Sequence, residues 1–476
     1  MTEPPYSFAH TAFARDVLAR FGDLDTGASS GTVVAVAGRV MLVRPQGKLA
    51  FATLRDSTGE VQLFASQADT EDFERFGRLR IGDWVGATGE VMRTRRGELS
   101  VKVGGWVLLA ETRHGFGDKW VGITDPDLRY RRREADLWAN PESRVALSKR
   151  FALARAVRER LWAQGFVEVE TPILNAVHSG GALPFATHHN ALDADFTLRI
   201  APELWLKRLV VGGYERVFEL GRLFRNEGIS PKHNPEFTTV EVYAAYLDYV
   251  GMMSLTEEPI AGCTLDVCGT TSISYQGRAL EMAAPWPRRT MAELVSERLG
   301  AEVSVHTDEQ RLRSLLADAG GDAPASVGTG KLLTALFDQV VEHEIWDPVF
   351  VTEYPLEVSP LARRLRGDDL LTERFEAFCV QRELANGFSE LTDPDEQRKR
   401  FEMQAQAREL GDDEAFELDE DFVVALEYGL PPTAGLGVGI DRLAMIVADA
   451  ANIREVVPFP TLKPRSDAER DDPPVP

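Results

Sequence analysis

Apolar and polar positions change their period twice along the chain. From Thr32 to about Leu109 they alternate in short runs: VVAVAGRVMLV, LAFATLRD, EVQLFA, DWVGATGEVMRT and ELSVKVGGWVLLA. Period two marks half-buried strands, and turn residues separate the runs. Thr70 to Phe76 reads as a short helix among the five strands. Ahead of them, Ser7 to Phe21 carries Phe8, Phe13, Val17, Leu18 and Phe21 and reads as a helix, followed by a Gly/Ser break from Thr26 to Gly31. Beyond the strands, Arg113 to Pro141 is a polar connector. The period then becomes helical: Leu147, Phe151, Ala154, Val157 and Leu161 recur, and Gly165 stands where a C-terminal cap belongs. FVEVETPIL follows as a strand stopped near Pro172, and APELWLKRLV as a helix. Helices are also expected at Met291–Leu299, Gly330–His343 and Ile440–Ala450, and strands around Pro348–Tyr354 and Glu383–Glu390.

Five strands and one helix in this order fit an OB-type barrel, which often presents single-stranded nucleic acid to one face. The plainer alternative is a small β-domain that only packs on its neighbour. The connector's Arg129, Arg131, Arg132 and Arg133 read first as a solvated charged run and second as phosphate contacts. GTGKLL resembles a phosphate-binding loop, but Ala325 replaces its first glycine and Leu332 its Ser or Thr, so it is rejected.

Tyr214 to Tyr246 holds two aromatic and branched runs around a turn-rich segment with Gly228, Ser230 and Pro231, which suggests a hairpin. Arg225 ends the first run. Phe237, Glu241 and Tyr243 share one parity in the second, hence one face. A salt-bridged surface hairpin would also explain such a face.

Composition narrows the class. The chain has 476 residues, enough for two or three domains, and 44% of them are hydrophobic, ordinary for a soluble globular protein. With 53 basic against 75 acidic residues the net charge is -22, which argues against gripping nucleic acid by bulk charge. Cys263, Cys268 and Cys379 are too few for a disulfide framework and fit a reducing cytosol. Neither a signal peptide nor an apolar run near the roughly 20 residues of a membrane span is evident, so a cytoplasmic protein with no membrane partner is expected.

Three stretches together carry a family resemblance. FVEVETPIL is similar to motif 1 of the class II aminoacyl-tRNA synthetases, FRNEGISPKHNPEFTTVEVY resembles motif 2, and GLGVGIDRLAMI resembles motif 3. The wording of THHNALDADFTLRIAPELWLKRLVVGG, NGFSELTDPDEQRKRF and IREVVPFP looks most like lysyl-tRNA synthetases, from about Val34 to Pro464. The resemblance implies an α+β chain. Its expected parts are an N-terminal extension (1–31), an OB-fold anticodon-binding domain (32–112), a linker (113–141), a catalytic domain with an antiparallel sheet and flanking helices (142–464), and a disordered tail (465–476). It also implies a homodimer through motif 1, with ATP, lysine and tRNA(Lys) as substrates and Mg2+ as cofactor.

The same resemblance assigns roles. Arg225 and Arg442 are the catalytic arginines; with Glu227, His233 and Phe237 they hold ATP, Arg225 bridging the α-phosphate and Phe237 stacking on adenine. Gly181, Glu203, Glu241, Tyr243, Asn386, Phe388 and Glu390 bind lysine, whose buried ammonium needs carboxylate partners. Glu376 and Glu383 are the metal carboxylates. In the barrel, Phe51, Gln62 and Glu98 resemble the readers of the lysine anticodon, by stacking and base-edge hydrogen bonds.

Three places depart from the usual wording. The loop SGGALPF is short, Lys232 replaces an arginine, and Val380-Gln381 with Ala385 replace glycines. Bulk there is expected to reshape the metal and lysine sites. These changes leave open a paralogue that activates a lysine analogue or serves a secondary pathway, and a non-catalytic tRNA-binding protein.

Overall fold

The computed structural model describes residues 5–115, 122–177, 180–324, 327–409 and 416–465. The expected disordered tail lies outside these beyond Arg465. The chain divides into two compact units, one of residues 1–140 with 464–476 and one of 141–463.

In the first unit Ser29–Gln46, Leu49–Arg55, Glu60–Ser66, Trp84–Arg93 and Leu99–Ala110 close into a five-stranded barrel, the long first strand pairing with both the second and the fourth. The alternation is kept: Ala50, Ala52, Leu54, Val61, Leu63 and Ala65 fill the core and their neighbours face outward. Helix Phe73–Phe76 inserts Phe76 beneath them. The N-terminal helix is shorter than expected, Ala14–Phe21. Residues before it are extended because Thr11 and Ala12 donate their N–H groups to the Ala35 carbonyl, and Phe8 lies over Gly86, where a Cβ would clash. The arginine-rich connector is also folded, as helices Pro126–Arg131 and Arg133–Ala139, in which the fully buried Arg133 pairs with Asp136 at 2.8 Å.

The second unit is built on an eight-stranded sheet. Its strands run in the order Arg288–Thr290, Val349–Thr352, Arg374–Phe378, Glu383–Ser389, Thr433–Gly439, Glu236–Ala245, Arg216–Phe224 and Val167–Glu168. The six inner strands pair antiparallel and both edges pair parallel. Val240, Val242 and Ala244 face a core shared with helices Pro141–Ala163, Tyr249–Cys268 and Ile440–Ala448, which leaves the odd positions for the opposite face. Of FVEVETPIL, Val167–Glu168 joins this sheet and Leu174 a separate three-stranded one, with Pro172, which restricts the residue before it and lacks a donor, in the break between them. The rejected phosphate loop starts helix Thr329–Val340, and the Glu357 carboxylate accepts the Gly328 and Lys331 N–H groups at 2.9 and 3.2 Å, where a phosphate would sit.

A buried cluster ties the second and third motif stretches to helix Pro141–Ala163. The Asp441 carboxylate accepts from Arg150 at 2.9 Å and from the Thr238 N–H at 2.7 Å, and Arg150 also donates to the Thr238 hydroxyl. No helix among the described residues is long and apolar enough to cross a membrane.

Candidate active site

The hairpin pairs Arg216–Phe224 with Glu236–Ala245 over nine positions, Leu223 facing Phe237 and Glu219 facing Glu241. Phe237, Glu241 and Tyr243 lie on one face, as parity requires. Except for Gly181, Glu376 and Glu390, every residue of this unit assigned above to ATP, lysine or metal lines one cavity of about 220 Å³. Arg225 follows the first strand and its backbone N–H donates to the Pro235 carbonyl. Its guanidinium carbon lies 5.2 Å from the Phe237 ring centroid, its Nε is buried without an acceptor, and no carboxylate among the described residues pairs with it. An unpaired guanidinium over an aromatic ring is a site for an anion beside a planar group. Across the cavity Arg442 donates to the Glu383 carbonyl at 2.8 Å and lies 3.3 Å from its carboxylate, with Nη2 3.4 Å from His233 Nε2. Burial and the Arg442 charge hold His233 below the usual histidine range.

The other end of the cavity is acidic. Glu203, Glu241 and Tyr243 line it with Asn386 and Phe388. Glu219, opposite Glu241, is neutralised by the buried Arg199. Glu241 has no such partner, and burial with the nearby Glu203 pushes it up to about 8, although the Tyr243 hydroxyl donates to it at 3.3 Å. Glu390 lies behind the wall, fully buried, with its Oε1 against Gly435. Glu383 and Asn386 have opposite parity on one strand, yet both face the cavity because a register shift at Ala377/Phe378 accommodates an extra residue, Leu384.

Glu376 lines a second cavity of about 430 Å³, shared with Glu383, His233, Lys232 and Arg442. Burial and the neighbouring Glu383 push its carboxyl up to about 7, against the pull of Arg374, which donates to it at 2.6 Å and to Asn386 at 3.1 Å. No cluster of three or more metal-ligating side chains exists among the described residues. Two adjacent carboxylates still suit a hard cation that takes its remaining ligands from phosphate and water.

The replaced glycines do not line the first cavity, although Gln381 lines the second, beside Glu376 and Glu383. Val380 and Gln381 form the two-residue hairpin turn between Arg374–Phe378 and Glu383–Ser389, both left-handed at φ 48° and 61°, a turn that favours glycine or asparagine. Val380 is buried in the core, as is Ala385, and neither lines the cavity. The Val380 and Gln381 N–H groups donate to Trp346 and Ile345, which holds the turn against its strain. Gly181 is left-handed at φ 99° and exposed. Its loop reaches the hairpin, since the Leu183 carbonyl accepts the Asn226 N–H at 2.7 Å.

On the barrel, Phe51 and Gln62 face outward from adjacent strands and Glu98 is exposed at the start of the fifth. Gln62 donates to Ser100 at 2.8 Å, and Phe51 lies 5.4 Å from Phe64, a second ring on this face that strand alternation would have revealed. Sequence reasoning also missed Lys207, Gly435 and the Arg199–Glu219 pair. Lys207 was detectable as a lysine four residues from Glu203 on an apolar helix.

A five-stranded barrel with an outward aromatic and polar face, together with an antiparallel sheet bearing an arginine-lined cavity, is the architecture of the class II tRNA synthetases. The family model described as tRNA synthetases class II (D, K and N) matches residues 125–463, and that of an OB-fold nucleic acid binding domain matches 34–109. The chain is 50% identical over 452 residues to the lysine–tRNA ligase of Synechococcus sp. (strain CC9605), covering 93% of this chain and 90% of the relative. To that of Clostridium perfringens (strain SM101 / Type A) it is 45% identical over 466 residues, covering 97% and 92%. The chain therefore belongs to the lysine–tRNA ligase family of the class II tRNA synthetases.

Proposed function

We propose that this chain activates lysine with ATP and transfers it to the 3′ end of tRNA(Lys). The observation that carries the reading is the Arg225 guanidinium, without a carboxylate partner among the described residues and held over Phe237 in one cavity with Glu203, Glu241 and Tyr243. In the first step a lysine carboxylate oxygen attacks the α-phosphorus of ATP. The new O–P bond forms as the bond to pyrophosphate breaks, its electron pair leaving with pyrophosphate. The carboxylate is already a nucleophile, so no general base is needed and the protein supplies position and charge. Arg225 bridges the lysine carboxylate and the α-phosphate through its fork of donors. Phe237 stacks on adenine, Glu227 takes its amino group, and His233 and Arg442 hold the outer phosphates. Glu376 and Glu383 would hold Mg2+, which neutralises phosphate charge when bound. In the second step the terminal tRNA hydroxyl attacks the adenylate carbonyl and AMP leaves.

Glu203, Glu390 and Tyr243 receive the lysine ammonium, while Asn386, Phe388, Glu241 and Gly181 complete its pocket. A strict lysine site is favoured over the analogue reading because the bulk at Val380 and Ala385 lies in the core. A homodimer is supported by the apolar residues that helix Pro141–Ala163 exposes, Val145, Phe151 and Trp162. The place of action is the cytoplasm.

ATP–pyrophosphate exchange over lysine, ornithine, β-lysine and arginine tests the reading, with exchange expected for lysine above the others. Exchange with no amino acid would leave only a binding protein, and exchange with an analogue alone would revive the paralogue. For the barrel, Gln62→Ala is expected to slow tRNA aminoacylation while leaving lysine-dependent exchange intact. Loss of both together would remove Phe51, Gln62 and Glu98 from anticodon reading.

A further inference from the structure

Behind the amino-acid end of the cavity lies a cation that belongs to the protein. Lys207 is completely buried on helix Glu203–Val211, with Nζ 2.6 Å from Glu203 Oε1 and paired also with Glu390 Oε2. The Phe388 and Phe422 rings flank the ammonium, with centroids at 5.4 and 5.8 Å. Each carboxylate thus gives one oxygen to Lys207 and keeps one without a donor among the described residues. The free Glu390 oxygen lies against Gly435, and Glu203 itself lines the cavity. We propose that Lys207 is a positioning residue for amino-acid recognition, a resident ammonium that fixes Glu203 and Glu390 so that their free oxygens receive a second ammonium from the substrate. The inference rests on the lysine reading above and adds how the pocket comes to want one positive charge.

The charge count supports it. Three acids and a phenol converge here: Glu203 on the helix, Glu241 and Tyr243 on the hairpin strand, and Glu390 after the neighbouring strand. Gly435 brings no charge from its own strand, and Phe422 none from helix Glu420–Glu427. Arg199 and Arg225 act on Glu241 from outside the group. Buried acids without a cation take up protons rather than stay charged, and a protonated acid does not select an ammonium. Burial pushes Glu390 well up; Lys207 pulls it back, and Glu203 and Glu241 push it up further. Burial opposes the charge on Lys207, but the two carboxylates outweigh it and raise its proton affinity. The pairing of one ammonium with two carboxylates leaves a single negative charge, beside a Glu241 whose proton affinity is raised. The complement is a monocationic side chain.

The test is lysine-dependent ATP–pyrophosphate exchange between pH 6.5 and 9 for Lys207→Met, Glu390→Gln and the double variant. The ionised Glu390 carboxylate binds the ammonium, so the lysine KM falls as pH rises through its raised titration. In Lys207→Met that fall should move up by about one pH unit and the lysine KM at pH 7 should rise about tenfold or more, with the ATP KM little changed. The double variant leaves no fully buried charge unpaired, since Glu203 reaches the cavity, and serves if the single one fails to fold. Its lysine KM should lie above that of Glu390→Gln alone, because Lys207 also holds Glu203, but below the product of the two single effects, because Lys207 and Glu390 act through one pair. An unchanged lysine KM, a rise equal at every pH, or losses that multiply in the double variant would each overturn the inference. Failure of the unaltered chain to exchange with lysine would instead bring down the lysine reading, and the inference with it.

Discussion

Replacing Arg225 by alanine is expected to lower the kcat of lysine-dependent ATP–pyrophosphate exchange by about 10³-fold or more, beyond what one neutral oxyanion donor contributes. Arg225 pairs with no carboxylate among the described residues, and its Nε is buried without an acceptor. Truncation therefore breaks no ion pair of the fold, and the melting transition should move little. The side chain's polar partners are those the reaction supplies, the lysine carboxylate and the α-phosphate. Arg225→Lys keeps the charge and loses the fork, so it should recover only part of the loss. Exchange kinetics beside thermal unfolding separate the two effects. An Arg225→Ala chain that kept exchange within tenfold would show that the guanidinium does not stabilise the transition state.

Much of this site could be read before any coordinates, and where reading failed the cause is physical. Parity along Glu236–Ala245 placed Phe237, Glu241 and Tyr243 together because an inner antiparallel strand keeps strict alternation. The same rule could not place Glu383 with Asn386, since the extra residue at Leu384 is set by pairing with another strand. Val380 and Gln381 misled for a related reason. Their residue types say bulk in the lysine pocket, but the tight hairpin turn buries Val380 in the core and leaves Gln381 exposed at the rim of the second cavity. The Ser7–Phe21 helix failed at its start because Thr11 and Ala12 pair with the barrel, a tertiary contact that outweighs local propensity. Lys207 belongs to a third kind. Its helical spacing from Glu203 was visible, but a charged residue on an apolar helix reads as exposed until Glu390, far along the chain, is known to meet it.

Gly435 carries the second large effect. A Cβ built there would stand 2.1 Å from Glu390 Oε1 and 2.5 Å from the Tyr243 ring. A free carboxylate could swing aside cheaply, but this one is bonded to Lys207, and Tyr243 is itself buried among Leu204, Val217 and Phe422. To admit the methyl group, the Glu390–Lys207 pair must part or the tyrosine must be pushed into the pocket. Overpacking alone costs about 1–3 kcal/mol, and parting a buried ion pair about as much again or more. Gly435→Ala is therefore expected to lower kcat/KM for lysine by about 10²-fold or more, at 1.4 kcal/mol per factor of ten. The KM for ATP should stay near that of the unaltered chain, because Arg225 and Phe237 lie at the other end of the cavity. Steady-state exchange with lysine and ATP varied in turn distinguishes the two ends. Were the folded variant to keep its lysine KM, Glu390 and Tyr243 would have room to retreat, and the tight wall between carboxylate and cavity would not be what orders this pocket.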